Sequence, residues 1–240
     1  NANRSFDRRR ISEQNFYFPK VLIVSDGFEF DKRQEQLRNL PSDVVVFAVN
    51  QSLSKWKLME ANPKRPINLY IANNPYKDCL NYISRKTKYF PSCVASSRTH
   101  IPFVEGYQGN MYIYEPTPSL KFGSNPQDLW YVDDYRSPVC AAISLAHKFG
   151  VEKLALFCCD EAFVDERPAA EQLKNGLWQY PQHSQLHQIT DANLYWLTHQ
   201  EERPVKVVDY SSGREYKNAT YICTEEALNE FFTDDLETLE

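Results

Sequence analysis

The sequence predicts an α/β fold in which a mostly parallel β-sheet is covered by helices, and two observations carry this prediction. Short apolar segments alternate with helical segments along the chain, as in parallel sheets whose strands are joined by helices. Most of these apolar segments are continuous, which is typical of strands buried on both faces. We therefore expect a Rossmann-like three-layer sandwich, with the sheet between two layers of helices.

The predicted strands are short segments rich in Val, Ile, Tyr and Phe. In chain order they are KVLIVS (20–25), DVVVFAVN (43–50), INLYIAN (67–73), SCVASS (92–97), MYIYEP (111–116), KLALFCC (153–159), VKVVDYS (205–211) and residues 219–223. The predicted helices lie between them, near 31–39, 52–60, 76–84, 100–107, 137–149 and 184–201, and a last helix begins at Thr224.

The helix at 137–149 has the clearest boundaries in the sequence. Ser137 is a hydroxyl N-cap, and Pro138 stands at the first helical position, where no backbone N–H is needed. Small apolar residues recur at helical spacing behind them, and Gly150 is placed to end the helix. The following strand ends at Asp160. This pattern predicts a helix packed closely on the sheet and a carboxylate at the end of a buried strand.

Two long segments, 116–127 and 161–182, have no helical or strand pattern. Each follows a predicted strand, so each borders the edge at which the parallel strands end, here called the carboxyl edge. Loops longer than about 12–15 residues usually have a functional role. We expect each segment to be either a lid over the carboxyl edge or a family-specific decoration.

The 240 residues suffice for one α/β domain, with residues 1–19 as an N-terminal arm and residues 20–240 as the domain. A net charge of −5 argues against a nucleic-acid binder. No apolar segment approaches the roughly 20 residues that a membrane-spanning helix needs, so no integral membrane segment is predicted. The six cysteines contain no C-x-x-C pair and are interpreted as reduced core residues of a cytoplasmic protein.

Polar side chains follow the predicted strands at the carboxyl edge, where open α/β sheets bind ligands. They are Ser25-Asp26-Gly27, Asn50-Gln51, Asn73-Asn74, Ser96-Ser97-Arg98-Thr99 and Asp160. Such groups are able to bind the base and ribose of a nucleotide, and helix N-termini at the same edge favour its phosphates. The alternative is that each is an ordinary turn or cap residue.

The sequence lacks the characteristic motifs of several common enzyme classes. The turn SDGFEF has one glycine where a dinucleotide-binding fingerprint has three, which argues against a Rossmann dehydrogenase. The chain has no GxxxxGK[ST] motif, which excludes a P-loop nucleotidase, and no GxSxG motif of a hydrolase.

Two histidines are candidates for acid–base chemistry. His183 and His187 stand four residues apart at the start of the helix near 184–201, so they share one helical face. No third ligand completes a zinc site, and no metal ligand is assigned. A general base that titrates near neutral pH is the functional interpretation, and helix capping is the alternative for their neighbours.

These features resemble the bacterial lipooligosaccharide sialyltransferases. The shared pattern comprises an Asp/Gly turn after the first strand, strands ending in Asn-Gln and Asn-Pro, and SPVCAA leading to a strand that ends in Asp. The resemblance implies that Asn50 and Asn74 contact the CMP part of CMP-sialic acid and that Ser137 and Asp160 belong to the donor site. It also implies that His183, followed by Ser184, carries the general base.

The same core is similar to the MptE-like proteins, which include archaeal 6-hydroxymethylpterin diphosphokinases. They share the small-residue helix and the strand-end Asp160, and this resemblance implies a nucleotide-dependent transferase that needs ATP and Mg²⁺. Both groups usually carry a Gly-x-Gly-Pro-Ser-like first turn, whereas this chain has SDGFE. Asp26 and Glu29 would repel a phosphate there unless a metal or a helix dipole intervened. If the diphosphokinase-like version holds, Asp26, Glu29 and Asp160 are candidate ligands for Mg²⁺, because Mg²⁺ prefers oxygen.

The functional prediction is a nucleotide- or nucleotide-sugar-dependent transferase that acts on a hydroxyl-bearing small molecule or glycan. The predicted nucleotide-binding residues are Asp26, Gly27, Asn50, Gln51, Asn73, Asn74 and Ser137. The predicted catalytic residues are Asp160 and either His183 or His187. The alternative is a non-catalytic binding module that retains the fold, and the sequence leaves open whether the chain forms a homo-oligomer.

Overall fold

The computed structural model describes residues 9–10, 16–27, 29–60, 64–82, 89–117, 131–135, 137–160, 181–211 and 215–234. Its strands are β1 (Arg9–Arg10), β2 (Lys20–Val24), β3 (Val45–Val49), β4 (Leu69–Ala72), β5 (Ser92–Ser96), β6 (Met111–Pro116), β7 (Tyr131–Val132), β8 (Lys153–Phe157), β9 (Lys206–Tyr210) and β10 (Thr220–Tyr221). Its α-helices are α1 (Phe30–Arg33), α2 (Ser52–Lys55), α3 (Ile101–Gly106), α4 (Pro138–Lys148), α5 (Pro181–Thr198) and α6 (Glu225–Thr233). Three 3₁₀ helices cover Gln34–Leu37, Leu58–Glu60 and Lys77–Tyr82.

The described strands form one parallel sheet, which confirms the predicted fold class. Their order is β1-β6-β5-β4-β3-β2-β8-β9-β10, with β7 beside β6. The chain builds the sheet outward from β2 in one direction as far as β6 and then returns to add β8 and β9 on the other side of β2. The topological switch point therefore lies between β2 and β8, and this is where doubly wound sheets bind ligands.

Side chains alternate strictly between the two faces of the sheet. In β2, Leu22 and Val24 join a core cluster with α1, α2, α3 and α6, whereas Val21 and Ile23 join a second cluster with α4 and α5. The other central strands divide in the same way, and their side chains are almost fully buried on both faces. Continuous apolar strands thus produced two cores, as a three-layer sandwich requires.

The predicted start and end of α4 are confirmed. The Ser137 hydroxyl accepts a hydrogen bond from the backbone N–H of Cys140 at 3.2 Å, which is the geometry of an N-cap. Gly150 has φ = +75°, a left-handed conformation that favours glycine after a helix. Residues 142–146 are buried against β2, β3 and β4 except for the half-buried Ser144.

The helices on the other face are shorter than the sequence predicts. The helices expected near 31–39 and 52–60 are each a four-residue α-helix followed by a 3₁₀ helix, and the one near 76–84 is a 3₁₀ helix over its described part. On the α4 face, α5 covers 181–198 instead of 184–201. Apolar spacing predicts where a helix packs, but it does not separate one α turn from one 3₁₀ turn.

The two long loops, the N-terminal arm and the cysteines were also covered by expectations from the sequence. Both predicted lids fall mainly on residues 118–130 and 161–180, which lie outside the described residues. The strands β1 and β7 are not predicted by the sequence. Phe16 and Phe18, assigned to the arm, make edge-to-face ring contacts with Phe149. Five cysteines are buried and unbridged as expected, whereas Cys223 is exposed. In the part of the chain that the structure describes, no helix has both the length and the apolar character to cross a bilayer.

Lys153 at the start of β8 gives a testable contribution to stability. Its buried ammonium group donates hydrogen bonds to the carbonyl oxygens of Phe231, at 2.8 Å, and Asp234, at the end of α6. We expect Lys153→Met to lower the free energy of unfolding by about 1–3 kcal/mol, because these carbonyls lose a charged donor. Urea denaturation measures this, and the exposed Lys206, paired with Lys153 in register on β9, is the matched control. Equal stabilities of the Lys153→Met and Lys206→Met variants would contradict the assignment.

Candidate functional site at the carboxyl edge

At the switch point of the carboxyl edge, Gly27 lies against Asp160. The backbone pairing of β2 and β8 continues past the strands, with Gly27 N–H donating to the carbonyl oxygen of Cys158 at 3.0 Å. A Cβ atom on Gly27 would lie 2.1 Å from Oδ2 of Asp160 and 2.4 Å from the Cys158 oxygen. The structure therefore brings together two residues that the sequence assigned separately to the site, and the buried carboxyl group of Asp160 lies directly against the turn after β2.

The second carboxylate of this turn, Asp26, has a cationic partner. Its Oδ2 lies 3.8 Å from Nζ of Lys55 at the end of α2. Burial raises the pKa of Asp26, and Lys55 together with hydrogen bonds from the Gln51 backbone and the Ser25 side chain opposes this rise. Gln51 thus acts on the turn through its backbone, because its side chain is exposed.

Asn50 connects the end of β3 to the same turn. Its side-chain Nδ2 lies 3.4 Å from Oγ of Ser25, and its carbonyl oxygen accepts a hydrogen bond from the Tyr70 hydroxyl at 3.0 Å. Its φ is +54°, which is a left-handed conformation for a residue other than glycine. Asn50, Asp26, Gly27 and Asp160 therefore form one cluster across β3, β2 and β8.

Left-handed backbone is concentrated at the carboxyl edge. In the described ranges, the non-glycine residues with positive φ are Asn50 at 54°, Cys158 at 52° and Tyr135 at 43°. Asn50 and Cys158 directly follow strands, and Tyr135 precedes α4. Each such conformation costs on the order of 1–3 kcal/mol and persists only where the surrounding structure enforces it.

The two asparagines after β4 differ in their contacts. Asn74 donates to the Tyr82 hydroxyl at 3.0 Å and accepts from the Tyr76 N–H at 2.8 Å, so its side chain organises the following loop. Asn73 is buried, and its Nδ2 has no acceptor within the described part of the chain. A buried amide donor without an acceptor costs about 1–3 kcal/mol, which makes Asn73 the better-placed of the two for a ligand.

The N-terminus of α4 carries a carboxylate that the sequence analysis did not identify. Asp134 is buried, its Oδ2 accepts a hydrogen bond from the Tyr114 hydroxyl at 3.3 Å, and its carbonyl oxygen accepts from Ser137 N–H at 2.6 Å. Ser137 is therefore held as a cap between Asp134 and Cys140. The acidic pair Asp133-Asp134 close before Ser137 was the available signal in the sequence.

His187 is held by the segment that follows β9. Its ring stacks on Tyr216 with centroids 4.3 Å apart and planes 11° apart, and its Nε2 lies 3.2 Å from the carbonyl oxygen of Glu215. Because a carbonyl only accepts, this nitrogen carries the hydrogen. The Tyr216 hydroxyl donates to the carbonyl oxygen of Cys159 at 2.6 Å, so His187 is linked to the residue next to Asp160. His183 lies one turn earlier on α5, and its side chain is outside the described residues.

Asp209 on β9 is a further acidic residue that the sequence analysis missed. It is buried, and Oδ1 accepts from Ser211 N–H at 3.1 Å while Oδ2 has no partner among the described residues. Burial, with a smaller contribution from the nearby charge of Asp160, raises the pKa of Asp209 to about 6 against the opposing effect of its hydrogen bonds to Ser211. The signal was an aspartate inside the otherwise apolar segment VKVVDY.

The carboxylates of this edge are not arranged as a metal site. Within the described ranges, no three or more His, Cys, Asp or Glu side chains are grouped so that they could hold a metal ion. The candidate ligands Asp26, Glu29 and Asp160 belong to this described part and do not form such a group there. Asp26 instead faces Lys55.

Comparison with known proteins supplies one fold neighbour. No family model and no curated protein matches the chain. A solved structure described as a MAf glycosyltransferase from Magnetospirillum magneticum AMB-1 matches with a TM-score of 0.58 and 11% sequence identity. The match covers 91% of this chain and 37% of that chain, so this chain spans little more than a third of the neighbour's length. At this identity the likeness concerns the fold.

Proposed function

We propose that the carboxyl edge binds a nucleotide-sugar donor and that the chain is a glycosyltransferase-type transferase. The observation that carries this proposal is the left-handed backbone at the carboxyl edge, at Asn50 and Cys158 beside the switch point and at Tyr135 before α4. Strained backbone clusters at ligand sites because it positions polar groups that relaxed backbone would point elsewhere. The fold neighbour supports the same class, since its description names a glycosyltransferase.

In the proposed complex, side chains at neighbouring strand ends bind different parts of the donor. Asn50, Asn73 and Asn74 hydrogen-bond the base and ribose, and Gln51 and Ser137 border them. Asp26 and Asp160 accept hydrogen bonds from sugar hydroxyls, and Gly27 lets Asp160 lie against the turn after β2 because it has no side chain. The finer alternatives, transfer of sialic acid from a CMP donor and diphosphoryl transfer from ATP with Mg²⁺, differ in donor and metal requirement.

The proposed reaction is displacement at the anomeric carbon. An acceptor hydroxyl oxygen forms the new glycosidic bond, the bond between the sugar and the donor phosphate breaks, and the nucleotide leaves with that electron pair. The hydroxyl proton passes to His183 or to Nδ1 of His187, since Nε2 of His187 donates to Glu215. A general base of this kind typically contributes about 10²–10⁴ in rate.

The substitution Asn50→Gly tests the donor site with little effect on the fold. Glycine adopts the left-handed conformation of residue 50, and the carbonyl that accepts from Tyr70 is retained. We expect the dissociation constant of the bound nucleotide to rise about tenfold, because one hydrogen bond is lost, while the melting temperature stays near that of the wild type. The measurement is calorimetric titration with the ligand that shifts melting in a panel of CMP, CDP, CTP, UDP, GDP and ATP, each with and without Mg²⁺.

Asn39→Gly is the control for that experiment. Asn39 is exposed and lies before β3, its amide donates to Glu225 at 2.8 Å, and it is not among the proposed donor-binding residues. The Asn39→Gly substitution should leave the nucleotide affinity unchanged. Equal affinities of the Asn50→Gly and wild-type proteins would remove Asn50 from the site, and silence across the panel would contradict nucleotide binding altogether.

A non-catalytic binding module is the second candidate, and the burial of His187 favours it. Only 7% of this residue is exposed, and one ring nitrogen is engaged by a backbone carbonyl. A module of this kind would bind the nucleotide without releasing it from its sugar. Release of free nucleotide from CMP- and UDP-sugars, followed by chromatography, separates the candidates: turnover supports the transferase, and tight binding without turnover supports the module.

A further inference from the structure

The carboxyl edge contains a guanidinium group that the sequence analysis did not assign. Arg33 ends α1, and its Cζ lies 4.2 Å from the centroid of the Tyr210 ring and 5.6 Å from that of Phe157. Tyr210 and Phe157 are the last residues of β9 and β8. The cation is therefore stacked on aromatic side chains beside the switch point.

The position of this guanidinium is fixed before any ligand binds. Its Nε donates to Oε1 of Gln36 at 3.4 Å, and the same oxygen accepts from the Tyr210 hydroxyl at 2.9 Å. Stacking on aromatic faces further restricts the side chain and leaves the planar edge of the guanidinium for other acceptors. A pre-positioned cation loses less conformational freedom when it binds an anion.

The charge of Arg33 is not used in an ion pair within the described part of the chain. The ion pairs of that part involve Lys20, Lys55, Lys57, Arg38 and Arg203. Arg33 nevertheless acts on the carboxyl edge: it lowers the pKa of the Cys158 thiol, which burial and the charges of Asp160 and Glu29 raise. The guanidinium and these carboxylates therefore surround the residue directly after β8.

The other sources of positive potential near the switch point are weaker or already engaged, and Arg98 follows β5, which is separated from β2 by β4 and β3. The turn after β2 has no glycine-rich phosphate loop and carries Asp26 and Glu29. Lys55 faces Asp26, and the N-terminus of α4 has its Cys140 N–H capped by Ser137 and the carboxylate of Asp134 beside it. A phosphate at the switch point thus requires a side-chain cation.

We propose that Arg33 is the phosphate-binding residue of the donor site and takes the place of a glycine-rich loop. This inference rests on the proposed function, and it predicts that the fork of Arg33 holds the phosphate that becomes the leaving group. The nucleoside would then lie along the edge toward β3 and β4, and the phosphate would lie over β8 and β9. Strand spacing of about 4.8 Å places β3 and β8 about 10 Å apart, which leaves room for a nucleoside between them.

The test compares nucleotides with their nucleosides. Calorimetric titration measures the affinities for CMP, UMP and GMP and for cytidine, uridine and guanosine. The ratio of the affinity for each nucleotide to that for its nucleoside is the affinity increment due to the phosphate. We expect Arg33→Gln to reduce this increment about tenfold or more while nucleoside affinity is retained, and Arg33→Lys to reduce it less, because lysine keeps the charge but not the fork. Arg38→Gln is the matched control, since the Arg38 side chain is 40% exposed and pairs with Glu35 on the adjoining 3₁₀ helix. This control should leave the phosphate increment unchanged. Circular dichroism checks that the variants fold. If Arg33→Gln does not fold, the phosphate increment of Arg33→Lys is compared with that of the wild type instead.

An unchanged phosphate increment in the Arg33 variants would overturn the proposal, as would equal affinity of the wild type for nucleotides and nucleosides. If the wild type binds none of these compounds, the proposed function fails, and phosphorus NMR with inorganic phosphate then tests Arg33 alone. Binding of phosphate by the wild type but not by Arg33→Gln would support an anion site without a nucleotide. Equal or absent phosphate binding by both proteins would overturn it.

Discussion

Replacing Gly27 with alanine is expected to lower the free energy of unfolding by about 3 kcal/mol and to abolish ligand binding at the carboxyl edge. The added Cβ would lie 2.1 Å from Oδ2 of Asp160 and 2.4 Å from the carbonyl oxygen of Cys158. A side-chain oxygen is able to rotate away, but the Cys158 carbonyl is fixed, because it accepts the hydrogen bond of Gly27 itself. The backbones of β2 and β8 must therefore separate. Urea denaturation and nucleotide titration measure the two effects.

Gly106→Ala is the matched control for the Gly27 substitution. A Cβ on Gly106, at the end of α3, meets no atom within 4 Å, so this change adds the same methyl group without a clash. We expect its stability to differ from the wild type by less than about 0.5 kcal/mol, as for most surface changes. If the two alanine variants were equally stable, the close approach of β2 and β8 at Gly27 would be contradicted. The double variant Gly27→Ala/Asp160→Ala should recover little, because the clash with Cys158 remains.

The sequence predicted the fold well because continuous apolar strands and alternating helices leave few arrangements of a parallel sheet. The carboxylate at the end of β8 was predicted at Asp160, and the structure places it at the carboxyl edge. The contact between Asp160 and Gly27 was not predictable, since β2 and β8 are neighbours only through the return of the chain after β6. Local patterns carry no information about which distant strands pair.

The sequence analysis missed other residues of the site for a different reason. Arg33 and Asp209 belong to segments that were interpreted only as a helix and a strand, and their importance comes from what packs around them. The stacking of Arg33 on Tyr210 joins residues that are far apart in the chain. Asp134 lies just before a strong helix-start signal, which drew the interpretation to Ser137. The orientation of the His187 ring depends on Tyr216, which follows β9.

Replacing Asp209 with asparagine is expected to stabilise the protein at neutral pH. The pKa of Asp209 rises from 3.8 to about 6 in the folded protein because of burial, so the folded state holds its proton more tightly than the unfolded state. The contribution of Asp209 to the wild-type free energy of unfolding is therefore greatest below the unfolded pKa and is lost as the pH rises through about 6. The full effect of such a shift is about 3 kcal/mol above the folded pKa. Asparagine has no charge to bury and keeps an oxygen to accept from Ser211.

The pH dependence of the difference identifies its cause. We expect Asp209→Asn and the wild type to be nearly equal in stability at pH 4 and to diverge as the pH rises, with the variant more stable at pH 7.5. Asp43→Asn is a control with the opposite sign, because the Lys20 side chain at 2.7 Å lowers the pKa of the exposed Asp43, whose contribution is lost as the pH falls. Asp160, the acidic neighbour of Asp209, is unchanged in both variants. A constant stability difference between pH 4 and 7.5 would show that the substitution acts through packing, and a less stable Asp209→Asn variant at pH 7.5 would mean that the carboxylate of Asp209 is compensated in the folded protein.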